Sequence, residues 1–299
     1  MESSVLSEVR FDVHRAITEK IVQAIEAGAG EFVMPWHRSG VSIGRPTNAS
    51  TGVGYRGVNV VALWAEAMVS GYASGHWATF RQWQALGASV RKGQHGSTIV
   101  FYKRLEPRER SADQEQQEPR LIARASRVFN ADQVTGWREP EPEARPQAET
   151  LPAVEVFVRA TGATIIEGGD SAHYNHQADR VHLPDRHRFH GTPTSSPTES
   201  FYATLLHELT HWTGASHRLD RTFGQRYGDN AYAFEELVAE LGAAFSCGDL
   251  GIANDPRPDH AAYVASWLKV LKDDRRAIFT AAKLASAAAE YLANSNAPS

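Results

Sequence analysis

The stretch His207-Glu208-Leu209-Thr210-His211 places two histidines four positions apart, with a glutamate directly after the first. Because an α-helix makes one turn in about 3.6 residues, positions four apart share a face, and both imidazoles can point at one metal ion. Glu208 then lies close enough to act as a base on a water at the metal without being a ligand. The motif therefore predicts a zinc site with its own catalytic base.

The residues that flank this motif predict where its helix begins and ends. Ser196-Pro197-Thr198-Glu199 has the pattern of a capping box with proline at the first helical position. Gly214 follows the motif and is expected to end the helix. We therefore predict one helix that carries the whole motif.

A second amphipathic helix, predicted over 233–241, supplies the residues that complete the site. It places Glu236 and Glu240 four positions apart on one face. We predict Glu236 as the third zinc ligand and Glu240 as the partner of a ligand histidine. Glu235 and Glu240 are the alternative third ligands, and a merely solvated acidic face is the alternative to any role. Two histidines and one glutamate leave a fourth position for water, which is typical of catalytic zinc sites; other divalent transition metals are alternatives to zinc.

Charge is distributed unevenly along the chain. The 299 residues are enough for two domains of ordinary size, and the formal net charge is -4. Residues 36–104 contain eight Lys or Arg and one acidic residue, whereas residues from 151 onward contain 13 basic and 18 acidic residues. This asymmetry indicates a first half that faces nucleic acid.

Cysteine content and hydropathy indicate the compartment. Cys247 is the only cysteine, which excludes an intramolecular disulfide and fits a reducing cytosol. The N-terminal stretch is acidic and amphipathic, unlike a secretory signal, and no apolar run reaches membrane-spanning length. We therefore expect a soluble cytoplasmic protein without a membrane partner.

The pattern of helix, strand and linker signals predicts an α+β protein with two domains. A Pro/Glu-rich linker over 138–150 separates an N-terminal domain, 1–137, from a C-terminal domain, 151–299. Helices are predicted over 7–27, 58–70, 78–87 and 152–161, and strands over 97–103, 123–129, 164–167 and 179–184. Residues 105–120, charged and rich in glutamine, are expected to form the mobile tip of a hairpin.

The basic N-terminal half is also rich in aromatic residues, a mixture typical of proteins that bind single-stranded DNA. Cations follow the phosphates, and each exposed ring that stacks on a base contributes about 1–3 kcal/mol. Rings in turns beside glycine or proline are expected to be displayed, with burial in the core as the alternative. Trp64 and Trp83, on helices, are expected to be buried. The predicted DNA-binding residues are Trp36, Arg38, Arg45, Tyr55, Arg56, Trp77, Arg81, Arg91 and Lys92.

Several of these motifs together resemble the ArdC antirestriction proteins of conjugative plasmids. The C-terminal resemblance is carried by His207-Glu208-Leu209-Thr210-His211-Trp212-Thr213-Gly214, Arg218-Leu219, Tyr232-Ala233 and Glu235-Glu236-Leu237-Val238-Ala239-Glu240. The N-terminal resemblance is carried by Pro35-Trp36, Thr51-Gly52, Tyr55-Arg56-Gly57-Val58-Asn59, Leu63-Trp64 and Val90-Arg91-Lys92-Gly93-Gln94. The resemblance implies an N-terminal domain that binds single-stranded DNA, fused to a zincin-like metallopeptidase domain. It also implies that the protein protects incoming plasmid DNA from host restriction enzymes.

Other residues near the predicted zinc site are candidates for binding a substrate or assisting the reaction. In metallopeptidases that the chain resembles, the strand at 179–183 forms an edge along which an extended peptide pairs. His217 and Tyr232 are candidates for stabilising an oxyanion. Five histidines at 173–190 indicate a polar loop and strand edge, with a catalytic or ligand role as the alternative. They are His173, His176, His182, His187 and His190.

Three functions are compatible with these features. The first is an antirestriction protein that binds single-stranded DNA and whose zinc domain cleaves a host protein. The second is a DNA-shielding protein in which the metal only stabilises the C-terminal domain. The third, a metalloenzyme that acts on DNA, is disfavoured because two histidines, a glutamate and an adjacent base suit amide hydrolysis better than phosphoryl transfer.

Overall fold

The computed structural model describes residues 12–28, 44–105, 120–138, 147–192, 195–223, 230–254 and 260–295. In these ranges the helices are α1 (Val13–Gly28), α2 (Val58–Ser70), α3 (Phe80–Ala85), α4 (Gln147–Ala160), α5 (Pro197–Thr213), α6 (Asn230–Leu250), α7 (His260–Asp273) and α8 (Ala277–Asn294). The strands are β1 (Thr47–Asn48), β2 (His76–Ala78), β3 (Ser89–Val90), β4 (Ser97–Leu105), β5 (Arg120–Asn130), β6 (Val134–Thr135), β7 (Thr164–Glu167), β8 (His173–Asn175) and β9 (Arg180–Leu183). The predicted α+β class is confirmed.

The strands of the N-terminal half form a four-stranded sheet and a small ribbon. The sheet has the order β1-β2-β5-β4 and is antiparallel except between β1 and β2. The long β4–β5 pairing runs from Ser97 opposite Val128 to Leu105 opposite Arg120, which confirms the predicted hairpin strands. The predicted mobile tip, apart from its ends, lies outside the described residues. Strands β3 and β6 form the ribbon.

Helix ends in this half follow local sequence signals. Helix α2 spans the predicted 58–70 and ends because Gly71 adopts a left-handed conformation (φ 67°), from which its N–H donates to the carbonyl of Ala67. Helix α3 is shorter than the predicted 78–87, since Thr79 caps it with Gln82 in a reciprocal box and β2 occupies the preceding residues. The first predicted helix is described from Val13 onward as α1.

The predicted linker over 138–150 is partly wrong. Helix α4 begins at Gln147, so the last four residues of that segment are helical. The proline content of the whole stretch suggested a linker, but Gln147, Ala148 and Glu149 each favour helices. Residues 139–146 lie outside the described part of the chain.

One hydrophobic cluster crosses the predicted domain boundary. It joins α1 and α2 to α6, α7 and α8, so the two halves do not have fully separate cores. Polar contacts reinforce this packing: Thr18 Oγ1 donates to the Arg275 carbonyl (2.7 Å), and the Gly57 N–H donates to Ser286 Oγ (3.1 Å). Both halves are therefore packed on the helix that carries the predicted glutamate ligand.

A second cluster packs α5 against a small sheet and α4. The sheet has the order β7-β9-β8, with β9 parallel to β7 and antiparallel to β8. The strand predicted at 179–183 as a peptide-binding edge is thus the central strand, and that prediction is wrong. Val181 and Leu183 of this strand are buried and alternate with Arg180 and His182, but such alternation does not reveal how many neighbours a strand has.

Candidate metal centre

Helix α5 carries the motif and has the predicted cap. Ser196 Oγ accepts a hydrogen bond from the Glu199 N–H, and the Glu199 carboxylate accepts from the Ser196 N–H (2.8 Å), with Pro197 as the first helical residue. Gly214 caps the other end. The helix therefore spans the predicted limits and includes His207 and His211, which are both buried.

Helices α5 and α6 approach closely next to the motif. A Cβ atom on Gly242 would lie 2.5 Å from Thr210 Cγ2 and 2.7 Å from Thr210 Oγ1. Only a residue without a side chain fits there without displacement of a neighbour. This approach brings the acidic face of α6 to the histidine face of α5.

Three side chains converge at this contact. The Nε2 atoms of His207 and His211 lie 3.2 Å apart. Glu236 places Oε2 3.5 Å from Nε2 of His207 and Oε1 3.5 Å from Nε2 of His211. One ligand atom from each of the three residues lies within 4.8 Å of the others.

The spacing of these atoms fits a divalent metal ion. Two ligands about 2.05 Å from one ion at the tetrahedral angle lie about 3.3 Å apart, close to the separations found here. Two imidazole nitrogens and a carboxylate are also ligands that zinc and related transition metals accept. The predicted ligands His207, His211 and Glu236 are therefore brought together in a geometry that suits such an ion.

The outer nitrogen of each histidine faces another carboxylate. Nδ1 of His207 lies 3.0 Å from Oε1 of Glu240, and Nδ1 of His211 lies 3.2 Å from Oε1 of Glu235. Such carboxylates orient a ligand imidazole and increase its basicity. Glu240 has the position expected of it, and Glu235, an alternative ligand by sequence, faces the side of His211 away from the convergence point.

The acidic residues make this site favourable for positive charge. Burial lowers the pKa of His211, but its hydrogen bonds to Glu235 and Glu236 outweigh burial and raise that pKa to about 10. Burial raises the pKa of Glu236, yet the two histidines hold it well below its usual value. The carboxylates thus attract a cation, whether a proton on the imidazole or a metal ion in its place.

Glu208, the predicted catalytic base, is buried on α5 next to His207. An aromatic ring lies near His211: the ring of Phe223 is 6.4 Å from that of His211 and 4.0 Å from that of His176. Burial and the nearby His211 lower the pKa of His176. His176 is therefore the member of the 173–190 histidine group that the fold brings to the edge of the centre.

The other histidines of that group and the proposed oxyanion residues have different surroundings. His173 and His182 stack across β8 and β9, with ring centroids 4.8 Å apart. His217 is turned toward Asp179, 3.3 Å away, and its side chain is mostly exposed. Tyr232 is half-buried on α6. The role of His217 and Tyr232 at an oxyanion stays a prediction.

The structure contradicts part of the predicted DNA-binding set. Trp77 is 1% exposed and packs in the core under the four-stranded sheet. Arg45 is paired with Asp249 (2.8 Å) and donates to the Phe245 carbonyl, in the contact between the two halves. A turn beside glycine suggested display for Trp77, but the residue lies on β2, within the sheet, and its side chain is buried in the core.

Tyr55 is half-buried rather than displayed. Its hydroxyl donates to the Trp77 carbonyl (3.4 Å) and accepts from Asn48 Nδ2 (3.3 Å). Arg56 is exposed and lies 3.2 Å from Glu290. Arg81, Arg91 and Lys92 are exposed as expected. Trp36 and Arg38 lie outside the described residues, and Trp64 and Trp83 are buried as predicted.

Exposed rings and cations that the sequence interpretation did not select lie on the same half. Phe80 and Phe101 are 48% and 47% exposed. Arg124, opposite Phe101 on the hairpin, and Arg127 are also exposed. The capping box at Thr79 signals that Phe80 is the first residue of a helix. Within the described ranges, none of the helices combines the length and apolar character that a membrane crossing requires.

Comparisons with known proteins agree with this architecture. Residues 152–284 match the model of a zincin-like metallopeptidase family, and residues 11–131 match that of the N-terminal domain of anti-restriction factor ArdC. The fold and site thus define a two-domain protein with a zincin-like metallopeptidase domain. The chain belongs to the ArdC family of antirestriction proteins, as similarity over nearly its whole length shows.

Two similar solved structures are those of the antirestriction protein ArdC from plasmid R388. The metal-free crystal structure has a TM-score of 0.76 and 38% identity, and covers 96% of this chain and 98% of that one. The Mn(II)-bound structure has a TM-score of 0.74 at the same identity, with 96% and 99% covered. A metal-bound relative and the convergent ligands here agree on a divalent metal.

Two relatives show the range of chain lengths. The protein y4eC of Sinorhizobium fredii is 44% identical over 94% of this chain and 91% of its own length. The DNA primase TraC of Escherichia coli is 34% identical over 95% of this chain, which spans 20% of that much longer protein. The same two-domain unit therefore makes up nearly all of one relative and a small part of the other.

Proposed function

We propose that the protein binds single-stranded DNA and protects incoming plasmid DNA from host restriction during conjugation, with a zinc peptidase centre in its C-terminal domain. The observation that supports the enzymatic part is the convergence of His207, His211 and Glu236. The Nε2 atoms of the two histidines lie 3.2 Å apart. The Glu208 side chain next to them is buried. A host protein is the proposed substrate or target.

The residues of the centre have distinct proposed roles. The two histidines and Glu236 would hold the ion, which when bound would supply Lewis acidity toward a peptide carbonyl and toward water. Glu208 accepts the proton of the attacking water and returns it to the leaving amine. Glu235 and Glu240 keep the imidazoles oriented through their Nδ1 atoms.

The proposed DNA-binding surface is the exposed cationic and aromatic side of the N-terminal half. Phe80 and Phe129 form an edge-to-face pair, 6.4 Å between centroids, next to Gly96 and Arg127. Arg127 Nη1 donates to the Gly96 carbonyl (2.8 Å), which leaves the rest of its guanidinium for a phosphate. The cations proposed to contact phosphates are Arg56, Arg81, Arg91, Lys92, Arg124 and Arg127.

Metal binding and catalysis can be tested separately on the full-length protein. We expect stoichiometric zinc in the wild type and in Glu208→Gln, because Glu208 is not a ligand. If peptidase action underlies protection, Glu208→Gln loses protection in a conjugation assay but keeps single-stranded DNA binding. Wild-type protein that binds no zinc, manganese or cobalt in a titration contradicts the proposed centre.

A function without catalysis is the alternative, and one observation favours it. Helix α6 carries Glu236 and also packs Leu237, Leu241 and Phe245 into the cluster shared with α1 and α2. A metal on α6 would therefore stabilise both halves even if it catalysed nothing. Full protection by Glu208→Gln, together with a metal-dependent rise in Tm, supports this binding-only function.

DNA binding is tested by its dependence on salt. Fluorescence anisotropy with a labelled oligonucleotide should give an affinity that falls as salt rises, with little dependence on sequence. The slope of log K against log salt reports the number of phosphates contacted. An affinity independent of salt contradicts the proposed surface.

A further inference from the structure

Arg221 is a buried cation close to the metal centre, and it has no role in the chemistry proposed for that centre. Its side chain is 3% exposed, although it lies in the loop after α5. Nε and Nη2 donate to the two carboxylate oxygens of Glu235, at 3.1 and 2.8 Å. A guanidinium is planar and matches a carboxylate with two parallel hydrogen bonds, so this pair has a defined orientation.

The same guanidinium is anchored to the end of α5. Nη1 donates to Thr213 Oγ1 (2.8 Å), and Nη2 donates to the Thr210 carbonyl (2.6 Å). Arg221 thus ties Glu235 on α6 to the last turn of the helix that carries both histidines. Because Glu235 precedes Glu236 in the sequence, this tie also restricts the position of Glu236.

Gly214 provides the space for this arrangement. A Cβ atom there would lie 2.8 Å from Arg221 Nη2 and 2.5 Å from Phe223 Cζ. The backbone of Gly214 is right-handed (φ -79°), a conformation that any residue adopts. Glycine is therefore needed at this position for room beside the guanidinium and not for its backbone freedom.

The direction of the hydrogen bonds links Arg221 to the ligand His211. A guanidinium has donors and no acceptor, so both oxygens of Glu235 accept from Arg221. The contact of 3.2 Å between Glu235 Oε1 and His211 Nδ1 must then be donated by the imidazole N–H. In a neutral imidazole a proton on Nδ1 leaves the lone pair on Nε2, the atom that faces His207 and Glu236.

We propose that Arg221 is a positioning residue of the metal centre, which holds Glu235 so that His211 presents its Nε2 lone pair to the ion. This proposal rests on the proposed metal site. It assigns Arg221 no contact with the ion or the substrate. Its effect is on the tautomer and orientation of one ligand.

The first test compares two buried arginines of the same loop. Arg221→Met is expected to lower zinc and cobalt affinity by about 10–100-fold, the range for loss of the carboxylate partner of a ligand histidine, because Arg221 acts through that carboxylate. Arg218→Met is the matched control, since Arg218 is 5% exposed but bonds to Asp179 and to the Trp212 carbonyl instead. Its metal affinity should stay at the wild-type value. Equal affinity of Arg221→Met and wild type overturns the proposal.

A double-variant cycle tests the route through Glu235. If Arg221 acts on His211 through this carboxylate, Arg221→Met combined with Glu235→Gln binds metal no more weakly than the worse single variant. Additive losses overturn the route. Arg221→Lys, which keeps the charge but not the paired hydrogen bonds, should recover only part of the affinity, and it replaces Arg221→Met if that variant does not fold.

A spectroscopic readout separates this proposal from the metal site itself. Long-range ¹H–¹⁵N NMR of the metal-free protein, at a pH where His211 is neutral, should show its proton on Nδ1. Arg221→Lys should shift part of the population to the other tautomer. An unchanged tautomer overturns the positioning role. If the wild type binds no metal, the proposed function fails, while this measurement still decides what Arg221 does to His211.

Discussion

The metal centre and the exposed face of the N-terminal half hold their polar side chains in opposite ways. In the centre, His207 and His211 are buried, and each has a carboxylate behind it. On the N-terminal face, Arg81 and Lys92 extend into solvent. The centre therefore depends on fixed geometry, whereas the face depends on charge and ring area. A single substitution should do much more damage in the first region than in the second.

Helix α6 connects the two regions. Its acidic face meets α5 at the metal centre, and its apolar face enters the cluster shared with α1 and α2. Arg45, predicted to contact DNA, instead joins the N-terminal half to this helix through the Phe245 carbonyl and Asp249. The two regions thus depend on different interactions, although they pack on one shared helix.

The largest expected effect tests whether Trp77 belongs to the core or to the DNA-binding face. Trp77→Ala should lower the free energy of unfolding by about 3–5 kcal/mol, because it leaves a cavity in a packed core. Phe80→Ala is the matched control: the exposed ring should change stability by less than about 0.5 kcal/mol but weaken DNA binding. Urea denaturation and anisotropy measure the two effects. A stable Trp77→Ala that has lost DNA binding would reverse the assignment.

The next effect tests the assignment of Glu236 as a ligand. Glu236→Ala should lower zinc affinity by more than the roughly 100-fold upper end seen for outer partners of ligand histidines. Glu19→Ala, which removes an exposed helix glutamate paired with Arg15, should not change metal affinity. Competition with a chelating dye measures both. Stoichiometric zinc retained at wild-type affinity by Glu236→Ala would move the third ligand to another residue.

A smaller effect tests the close contact of α5 and α6. Gly242→Ala places a methyl group against the Thr210 side chain and should cost about 1–3 kcal/mol of stability, the usual cost of overpacking. Combining it with Thr210→Ala removes both contacting atoms and should restore most of that loss. Thermal denaturation of the metal-free proteins gives the comparison. An unaffected Gly242→Ala would mean that the helices can separate without cost.

The smallest effect concerns the charged face. Lys92→Ala should weaken DNA binding only modestly and reduce the salt slope by about one, since it removes one phosphate contact. Arg45→Ala should leave the slope unchanged and lower stability, because that side chain bonds inside the protein. Anisotropy over a salt series and denaturation separate the two. A reduced slope in Arg45→Ala alone would return Arg45 to the DNA-binding face.

Much of the centre could be predicted because its chemistry depends on local spacing. The spacing of four positions from His207 to His211 fixes their common face once the helix forms, and the Ser196 cap fixes where the helix begins. The partner roles of Glu235 and Arg221 could not be predicted, because they depend on how α6, which carries Glu235, meets the segment after α5 that carries Arg221. The same limit applies to β9, since a strand's own alternation is the same with one neighbour or two.

Four features are evident from the order of the residues alone: the α5 motif, the α2 limits, the β4–β5 hairpin, and a basic, aromatic first half. These features follow from interactions between residues that are close in the chain. The period of apolar residues and the helix-capping residues can be read directly from the sequence. Three other features appear only in the folded protein: Trp77 is buried in the core, Arg45 bridges the two halves, and Arg221 bonds to Glu235. The burial of a residue and its hydrogen-bond partners depend on which distant segments of the chain pack together. The free energy of that packing is a property of the whole folded chain.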